Sequence, residues 1–261
     1  MRNKLSDDEW RYLLQMTRRL CSCSTFESLS MMFLQQIQNL ITYEKGVVFQ
    51  AVRESGQVRA INPVTYRYDD QSMAIINDYL AGKLDCSDNI HWVQRLLMPT
   101  SSIYRHSDVV SESAWERSET YLRLWKPQNI YFGLTAALVY CDHSLAVMSI
   151  YRDKTSGDFS TRDLYIFELL LSTLESKCYE IEQHESDKGR KLAIERKSLQ
   201  YHLTKRETEI VSLVSKAAGT EDICETLCIR PSTLSKHLSN IYHKTGARSR
   251  MELLGLFGEL G

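Results

Sequence analysis

Cysteine and histidine are the side chains best suited to metal binding or nucleophilic chemistry, and their spacing decides whether either is expected. Seven cysteines are scattered along the chain, and only Cys21-Ser22-Cys23 places two thiols close enough to share a soft metal ion. No second pair stands at metal-ligand spacing. Cys224 and Cys228 lie four apart at positions that a helix turns inward, where a thiol packs as a small hydrophobe. The pattern predicts reduced thiols and no metal site.

The sequence carries none of the local motifs from which common catalytic sites are built. The seven histidines are isolated from one another, and none forms a pair at zinc-binding spacing. Gly82-Lys83 lacks the upstream glycine of a phosphate-binding loop, and no serine lies in a nucleophile elbow. We therefore expect a protein that is not an enzyme and that holds no cofactor.

Composition places the chain among ordinary folded proteins. Of its 261 residues, 43% are hydrophobic and 25% charged, with only 4 prolines, which excludes collagenous and largely disordered chains. The most apolar stretch, 131–151, is interrupted by Asp142 and His143 and falls short of the about 18 apolar residues that a membrane span needs. The first ten residues contain no apolar run of signal-peptide length, so we expect a cytoplasmic protein without membrane contact.

Charge is distributed unevenly although the net charge is only −1. The residues from Lys188 onward hold 13 Lys and Arg against 8 Asp and Glu, and the residues before it hold 19 against 25. A basic terminal module after a larger acidic one favours contact with nucleic acid, because lysine and arginine displace the counterions of phosphates. The same surplus also suits a solvated surface, so charge alone leaves both interpretations open.

The last quarter of the chain contains the signals of four successive helices. Thr204-Lys205-Arg206-Glu207 is a capping-box pattern that opens the first, and Thr220 is expected to cap a short second one. Pro231 suits the first turn of a third helix, and Gly246 suits its left-handed end. Ser249-Arg250-Met251-Glu252 opens the fourth. A short helix, a tight turn and a longer helix with polar outer residues predict a helix-turn-helix, whose second helix enters the major groove.

This module resembles the LuxR-type DNA-binding domain over its whole length. The resemblance rests on Leu203-Thr204-Lys205-Arg206-Glu207-Thr208-Glu209-Ile210-Val211, Asp222-Ile223-Cys224, Leu227, Ile229, Thr233-Leu234, His237-Leu238, Ile241-Tyr242-His243-Lys244 and Arg248-Ser249-Arg250. It implies a transcription regulator that binds double-stranded DNA. A homodimer is expected, since one module buries too little surface for tight specific binding, and RNA polymerase is a further implied partner.

The same resemblance implies DNA contacts for individual residues. Ser235, Lys236 and Ser239 align with positions that reach base edges or phosphates. Lys236 is the first candidate because it is the cation among them. Thr233 can bond a phosphate near the helix N-terminus, and Lys244 is placed for the DNA backbone.

Departures from the family pattern bear on the same helix. The family usually has serine where Arg230 stands, so a helix cap worth about 1 kcal/mol is lost, partly offset by Pro231. A basic residue is usual where Ser235 stands, and Arg230 can supply the missing positive charge at the DNA interface. Glu207 and Arg250 resemble scaffold residues that tie the first helix to the last.

The residues before this module alternate helix and strand patterns. Apolar periodicity predicts helices at 7–20, 25–41, within 71–98 and at 118–125. Runs of β-branched and aromatic residues predict strands at 46–52, 58–64, 103–106, 129–140 and 144–151, with a turn around Gly56. The order predicts an α+β domain in which helices flank one antiparallel sheet.

A long helix is predicted to begin at Ser160, where Asp163 completes a capping-box spacing. Its apolar residues alternate by three and four, at Leu164, Phe167, Leu171, Leu174, Cys178 and Ile181. This spacing suits a dimerising seam as well as a helix that covers the sheet, and both can hold along one helix. The charged run 185–202 is interpreted as a linker between an N-terminal domain, 1–184, and the DNA-binding domain, 203–261.

The N-terminal domain resembles GAF- or PAS-type sensor domains. The residues that carry the resemblance are Ser107-Asp108, Trp115-Glu116, Ser118, Tyr121, Trp125-Lys126-Pro127, Tyr131, Gly133-Leu134, Tyr151-Arg152 and Phe159-Ser160-Thr161-Arg162-Asp163-Leu164. A receiver domain would need an acidic pair after its first strand, where Val52-Arg53-Glu54 offers one acid. A quorum-sensing receptor domain is a second rival, whose signature we do not locate.

The resemblance implies a small-molecule effector of unknown identity. Such folds bind ligands at the sheet face between the hairpins, where the candidate residues are Trp115, Tyr121, Trp125, Tyr131 and Phe132. Aromatic clusters are also common in cores. The alternative is a protein-interaction module with no small-molecule ligand, which would leave the domain without a closed pocket.

Overall fold

The chain divides into two structural units. The structure, a computed structural model, describes residues 5–54, 57–84, 86 and 91–258. Unit 1 is Met1–Glu182 and unit 2 is Gln183–Gly261. The boundary lies two residues before the predicted end of the N-terminal domain and falls within a helix. The predicted turn at Gly56 lies outside the described residues.

Unit 1 contains one antiparallel sheet. Its strands are β1 (Lys45–Glu54), β2 (Gln57–Tyr66), β3 (Ser102–Arg105), β4 (Phe132–Tyr140) and β5 (His143–Arg152). They are ordered β2-β1-β5-β4-β3, and each neighbouring pair is antiparallel. β4 and β5 are buried on both faces, which explains their nearly continuous apolar sequences. The predicted α+β class and its strands are confirmed.

Helices cover both faces of this sheet. They are α1 (Asp7–Cys21), α2 (Phe26–Ile37), α3 (Asp70–Leu80), α4 (His91–Leu96), α5 (Glu112–Trp115) and α6 (Thr161–Gln200). On one face, α1, α2 and the first part of α6 form the main core. Phe33 and Phe167 meet there edge to face, with ring centroids 5.5 Å apart. Burying each such side chain contributes roughly 1.5–3 kcal/mol.

The apolar stripe of α6 faces the sheet of its own unit. Four of its residues are at most 4% exposed, namely Phe167, Leu174, Cys178 and Ile181. Leu164 and Leu171 are partly buried against the same core. The structure therefore supports the sheet-covering role, and these side chains are not available as a dimer seam. The helix begins as predicted: Ser160 N donates to the Asp163 carboxylate at 2.8 Å, and Asp163 N donates to Ser160 Oγ at 3.2 Å.

Short helical segments cover the opposite face. The predicted helical region 71–98 is split into α3 and α4, and the predicted helix at 118–125 is a π-helical turn, Thr120–Trp125, followed by a 3₁₀ turn, Lys126–Gln128. Trp125 lies directly on β4, because a Cβ at Gly133 would come within 2.6 Å of its indole. The absence of a side chain at Gly133 thus allows this segment to pack closely on the sheet.

The described part of unit 2 consists of helices joined by short connections. The end of α6 is followed by α7 (Lys205–Ser215), α8 (Thr220–Thr226), α9 (Pro231–Thr245) and α10 (Arg250–Gly258). Their shared core is at most 2% exposed at Ile194, Ile210, Val214, Ile223, Leu234, Ile241, Leu253 and Phe257. The four predicted helices are confirmed. The charged run 185–202, predicted as a linker, is helical as far as Gln200.

Most helix ends in unit 2 follow local sequence signals. The predicted capping box opens α7, and Gly246 ends α9 with φ 77°. Two details of the prediction were wrong. Gly219, and not Thr220, is the cap of α8, because Thr220 is already helical. Cys224 packs on the core, but Cys228 is exposed because the chain has left α8 there, with a left-handed φ of 51°.

Candidate DNA interface and ligand cavity

α8 and α9 form a helix-turn-helix. The turn spans residues 227–230, and Ile229 N donates to Cys224 O at 3.0 Å across it. Ile223 of α8 and Leu234 of α9 are at most 1% exposed in the shared core. These buried contacts hold the two helices together and leave the opposite side of α9 to solvent.

The outer side of α9 is a row of exposed polar side chains. It contains the predicted Ser235, Lys236 and Ser239 and, beyond the prediction, Ser232, Asn240 and His243. Ser235 Oγ donates back to Pro231 O at 3.0 Å. Within the described part of the chain, Lys236 has no ion-pair partner. Its ammonium is therefore available for a phosphate or a guanine edge, and the Asn240 amide has the donor and acceptor that adenine requires.

The N-terminal end of α9 lacks a side-chain cap. Arg230 occupies the cap position without a side-chain hydrogen bond, and Pro231 is the first helical residue. Thr233 is half-buried, and its N–H donates to Arg230 O at 2.9 Å. An uncapped helix N-terminus beside an exposed arginine suits a phosphate.

Lys244 is bonded within the protein. Its Nζ lies 2.6 Å from Glu207 Oε2 and 3.1 Å from His202 O. The Glu207 side chain is only 4% exposed. Burial raises the pKa of Glu207, but hydrogen bonds from Lys244 and from Thr204 outweigh it, so the pKa lies below its usual value. The pair links α7 to α9, and contact of Lys244 with the DNA backbone stays a prediction.

Arg250 connects the last helix to the α7–α8 turn. Its guanidinium donates to Ala218 O and, at 3.3 Å, to Thr220 Oγ1. Glu207 and Arg250 are therefore both scaffold residues, but they do not tie the first helix to the last. Each is bonded to a different part of unit 2.

Unit 1 contains a cavity between the sheet and the short helical segments. Its volume is about 60 Å³. Polar and aromatic side chains around it include Tyr68, Tyr79, Trp92, Tyr104, His106, Trp125, Gln128, Thr135, Ser149 and Tyr151. No carboxylate or ammonium group is found among the described residues that line it. The cavity is partly open, and its apolar lining with several hydroxyl groups is typical of a site for an uncharged molecule.

Four tyrosine hydroxyls line this cavity in their neutral form. Burial raises the pKa of Tyr79 and of Tyr151 to about 12 each. Burial also raises the pKa of Tyr68 and of Tyr104 above the usual range. The hydroxyls therefore stay protonated at physiological pH and can donate or accept hydrogen bonds.

Gln128, which lines the same cavity, has an unsatisfied acceptor. Its side chain is 3% exposed, and its Nε2 donates to Leu124 O at 2.6 Å. Its Oε1 accepts no hydrogen bond from the described residues. A buried acceptor without a donor costs about 1–3 kcal/mol, so a molecule that donates to this oxygen would be bound more tightly.

The five predicted ligand residues lie in the cavity wall or in the hydrophobic cluster next to it. Of the five, Trp125 lines the cavity. Trp115 packs edge-on against Trp125 with ring centroids 4.6 Å apart. Tyr121, Tyr131 and Phe132 continue the cluster, with centroids 5.6 and 4.8 Å apart in that order. Direct ligand contact by all five stays a prediction.

Sequence reasoning missed most of the cavity lining. Tyr79 comes from α3, Tyr104 from β3 and Gln128 from the 3₁₀ turn after the π-helical turn. No local spacing connects three residues in such separate segments. Their juxtaposition arises from the sheet order.

Two negative findings apply to the described residues. In that part of the chain, no three His, Cys, Asp or Glu side chains cluster as a metal site requires. None of its helices is long and apolar enough to cross a membrane. The seven cysteines, including Cys21 and Cys23, are free thiols.

The arrangement of α8 and α9 defines a helix-turn-helix module of the kind that presents its second helix to DNA. Residues 201–257 match the family model described as bacterial regulatory proteins, luxR family. The chain therefore carries a LuxR-family helix-turn-helix domain in unit 2, as the sequence predicted.

Curated relatives match a short segment. Proteins described as HTH-type transcriptional regulators of Mycobacterium bovis and Mycobacterium tuberculosis are 38% identical over 52 residues. The match covers 20% of this chain and only 6% of the relatives' length. It therefore concerns one module and not the whole of either protein.

Solved structures resemble the chain more widely but weakly. Escherichia coli SdiA has a TM-score of 0.47 at 15% identity, covering 97% of this chain and 98% of its own. The LuxR-family factor CepR2 from Burkholderia cenocepacia, described as N-acylhomoserine lactone dependent, has 0.46 at 11%, covering 67% and 94%. A GAF domain from an Acinetobacter phosphotransferase has 0.45 at 10%, covering 69% and 97%. Likenesses at TM-scores below 0.5 carry no argument about function.

Proposed function

We propose that the protein is a DNA-binding transcriptional regulator and not an enzyme. Unit 2 binds an operator, and unit 1 senses a small molecule that controls this binding. The observation that carries the proposal is the exposed polar row of α9 within the segment 201–257 that matches the luxR family. The regulator acts in the cytoplasm, with double-stranded DNA as its main partner and RNA polymerase as a second.

The contacts to DNA are proposed along α9. Lys236, Ser239 and Asn240 are assigned to base edges, because they are exposed in the middle of the helix. Arg230 and Thr233 are assigned to phosphates at its N-terminal end. Ser235 belongs to the same surface, although its hydroxyl is bonded to the helix backbone. Lys244 is assigned a positioning role through Glu207, and its contact with the DNA backbone stays a prediction.

The operator is proposed to be pseudopalindromic and to be read by a homodimer. Two such modules bound to one operator bury enough surface for tight specific binding, whereas a single module buries too little. The buried stripe at 164–181 does not supply the contact. In unit 2, Leu192 and Leu199 of α6 are 49% and 75% exposed and stand seven residues apart, the spacing of a helical seam. We assign the two-fold contact to these leucines.

The effector is proposed to be a small uncharged molecule with a hydrogen-bond donor. The lining offers neutral hydroxyls and the free acceptor Gln128 Oε1 but no ionised partner for a charge. A volume of about 60 Å³ is well below the roughly 300 Å³ of sites for drug-sized ligands. A larger effector would have to displace the segment 120–128. Such a displacement would convert effector binding in unit 1 into a conformational change.

The DNA-binding proposal is tested by selection from a random duplex pool with the full-length protein. We expect enrichment of one pseudopalindromic sequence. Lys236→Ala should weaken binding to it, and Lys205→Ala, an exposed lysine at the start of α7, is the matched control. A pool without enrichment after repeated rounds at moderate salt contradicts the proposal.

The sensing proposal is tested by a native mass spectrum of the purified protein, compared with its denatured mass. A dimer with extra mass on each chain supports a bound effector and gives its class. If the native mass per chain equals the denatured mass, and no compound of a library of neutral small molecules binds, the second candidate below is favoured.

The second candidate for unit 1 is a protein-interaction module. Trp10 and Leu14 on α1 are 41% and 65% exposed and one helical turn apart, which suits contact with another protein. Substituting both by serine should abolish regulation without changing unit 1 stability if a protein partner is the signal. If a small molecule is the signal, the substitutions should leave regulation unchanged.

A further inference from the structure

Unit 2 has an open groove on the side where α6 packs against α7. Its walls include Lys188 and Lys191 of α6, Ser212 of α7 and Lys216, which directly follows α7, and its volume is about 380 Å³. Ile194, which is 2% exposed, forms its floor. We call this feature the α6–α7 groove.

The lining of the α6–α7 groove contains more positive than negative side chains. Among the described residues, Lys188, Lys191 and Lys216 form no ion pair. Asp187 is the carboxylate in the lining, and its own partner is Arg190, 3.8 Å away. Lys188 and Lys191 are neighbours on one helix face, where like charges repel. The groove therefore holds uncompensated positive charge that an anion would neutralise.

An ordinary solvated helix face does not account for this arrangement. On such a face, an acid three or four residues from a lysine can form an ion pair with it. Glu195 stands four residues after Lys191, yet it makes no ion pair with it. Lys216 follows the end of α7 and lines the same groove. Lysines from α6 and from the segment after α7 thus converge on one open groove, which a charge run along a single helix face does not produce.

We propose that the α6–α7 groove binds a small anion that carries at least two phosphate groups. Lysine ammonium groups bind phosphate as point charges, and the Ser212 hydroxyl can donate a further hydrogen bond. The volume exceeds what one phosphate fills and lies in the range of small-molecule sites. The aliphatic lysine stems and Ile194 suit an organic group attached to the phosphates. Occupancy would hold α6 to α7 within unit 2.

The test uses the full-length protein and inorganic pyrophosphate as the probe, measured by isothermal titration calorimetry. We expect one pyrophosphate per chain, and orthophosphate should bind at least tenfold more weakly. The triple variant Lys188→Ala, Lys191→Ala, Lys216→Ala should bind pyrophosphate at least tenfold more weakly. Lys205→Ala, an exposed lysine at the other end of α7, should bind as the wild type does.

The remaining outcomes overturn the proposal. No measurable binding of pyrophosphate does so, and so does equal affinity of the wild type and the triple variant. If the triple variant instead reduces the salt dependence of DNA binding while pyrophosphate does not bind, the lysines contact the DNA backbone and not a free anion. Wild-type circular dichroism and Lys236-dependent DNA binding of the triple variant show that its fold is intact. Ser212→Ala is the milder second variant, with at least threefold weaker binding expected.

Discussion

Replacing Lys244 by methionine tests whether the bond between Lys244 and Glu207 supports the scaffold of unit 2. Methionine keeps the length and apolar stem of lysine but removes the ammonium that lies 2.6 Å from Glu207 Oε2. The carboxylate would stay buried, with the Thr204 N–H at 2.8 Å as its remaining strong donor. We expect the free energy of unfolding of unit 2 to fall, although Lys244 lies on α9, the helix that is proposed to bind DNA.

The magnitude follows from the burial of the two partners. Leaving one partner of a fully buried pair unpaired costs about 3–5 kcal/mol. The Lys244 side chain is 31% exposed, so water weakens the pair in the folded protein. The Thr204 N–H also continues to stabilise the carboxylate. We therefore expect a loss of about 2 kcal/mol at pH 7.

The loss should depend on pH. In the wild type the folded pKa of Glu207 is lowered, so its stabilising effect is present above the unfolded pKa and is lost as pH falls through the folded value. Without Lys244, only the hydrogen bonds from Thr204 oppose burial, so the folded pKa of Glu207 is higher than in the wild type. At neutral pH the variant is therefore less stable than the wild type. This loss of stability becomes smaller as Glu207 takes up a proton. The difference between the two proteins should narrow from pH 7 to pH 4.

The assay must report on unit 2. The four tryptophans, Trp10, Trp92, Trp115 and Trp125, all belong to unit 1, so intrinsic tryptophan fluorescence does not. Native-state hydrogen exchange of peptides from α7 and α9 gives the local opening free energy in the full chain. Lys236→Met, on the exposed side of α9, is the control, and it should change the local opening free energy little. A difference below about 0.5 kcal/mol at pH 7, or one that widens in acid, would refute the reasoning.

Three further predictions concern other parts of the molecule. Lys236→Ala should weaken operator binding by about 1–3 kcal/mol and relax the base preference at one operator position; unchanged affinity and base preference, measured by fluorescence anisotropy, would exclude its contact with a base edge. Leu199→Glu should give a folded monomer by native mass spectrometry, whereas Leu174→Glu should unfold unit 1, because Leu174 is 1% exposed; a dimer that survives Leu199→Glu places the interface elsewhere. Gly133→Ala should destabilise unit 1 by about 1–3 kcal/mol through overpacking against Trp125, measured by urea unfolding followed by tryptophan fluorescence; unchanged stability would mean that the indole can move.

Features determined by neighbouring residues were predictable from the sequence. The capping bonds of α6 and α7 join residues three apart, and the β4–β5 hairpin joins adjacent runs with a short polar turn. The sheet and the helix-turn-helix followed from such signals. The apolar stripe of α6 was predicted as well, but its partner was not, because spacing shows which side is buried and not against what.

Features that join distant segments were not predictable in this way. Lys244 and Glu207 are 37 residues apart in the chain, and nothing near Lys244 indicates that it is bonded internally. Gln128 was overlooked for the same reason, since a glutamine after a proline is usually exposed in a turn. The π-helical winding of Thr120–Trp125 also has no recognised local signal, because it depends on how that segment packs on β4.

The close approach of Trp125 to Gly133 also constrains how this protein can vary during evolution. The two positions share one small space, so each limits what the other can be. Either order of substitution passes through a destabilised intermediate, because a smaller residue at 125 leaves a cavity and a larger residue at 133 contacts the indole too closely. Descendants of this sequence should therefore change the two positions jointly or keep both.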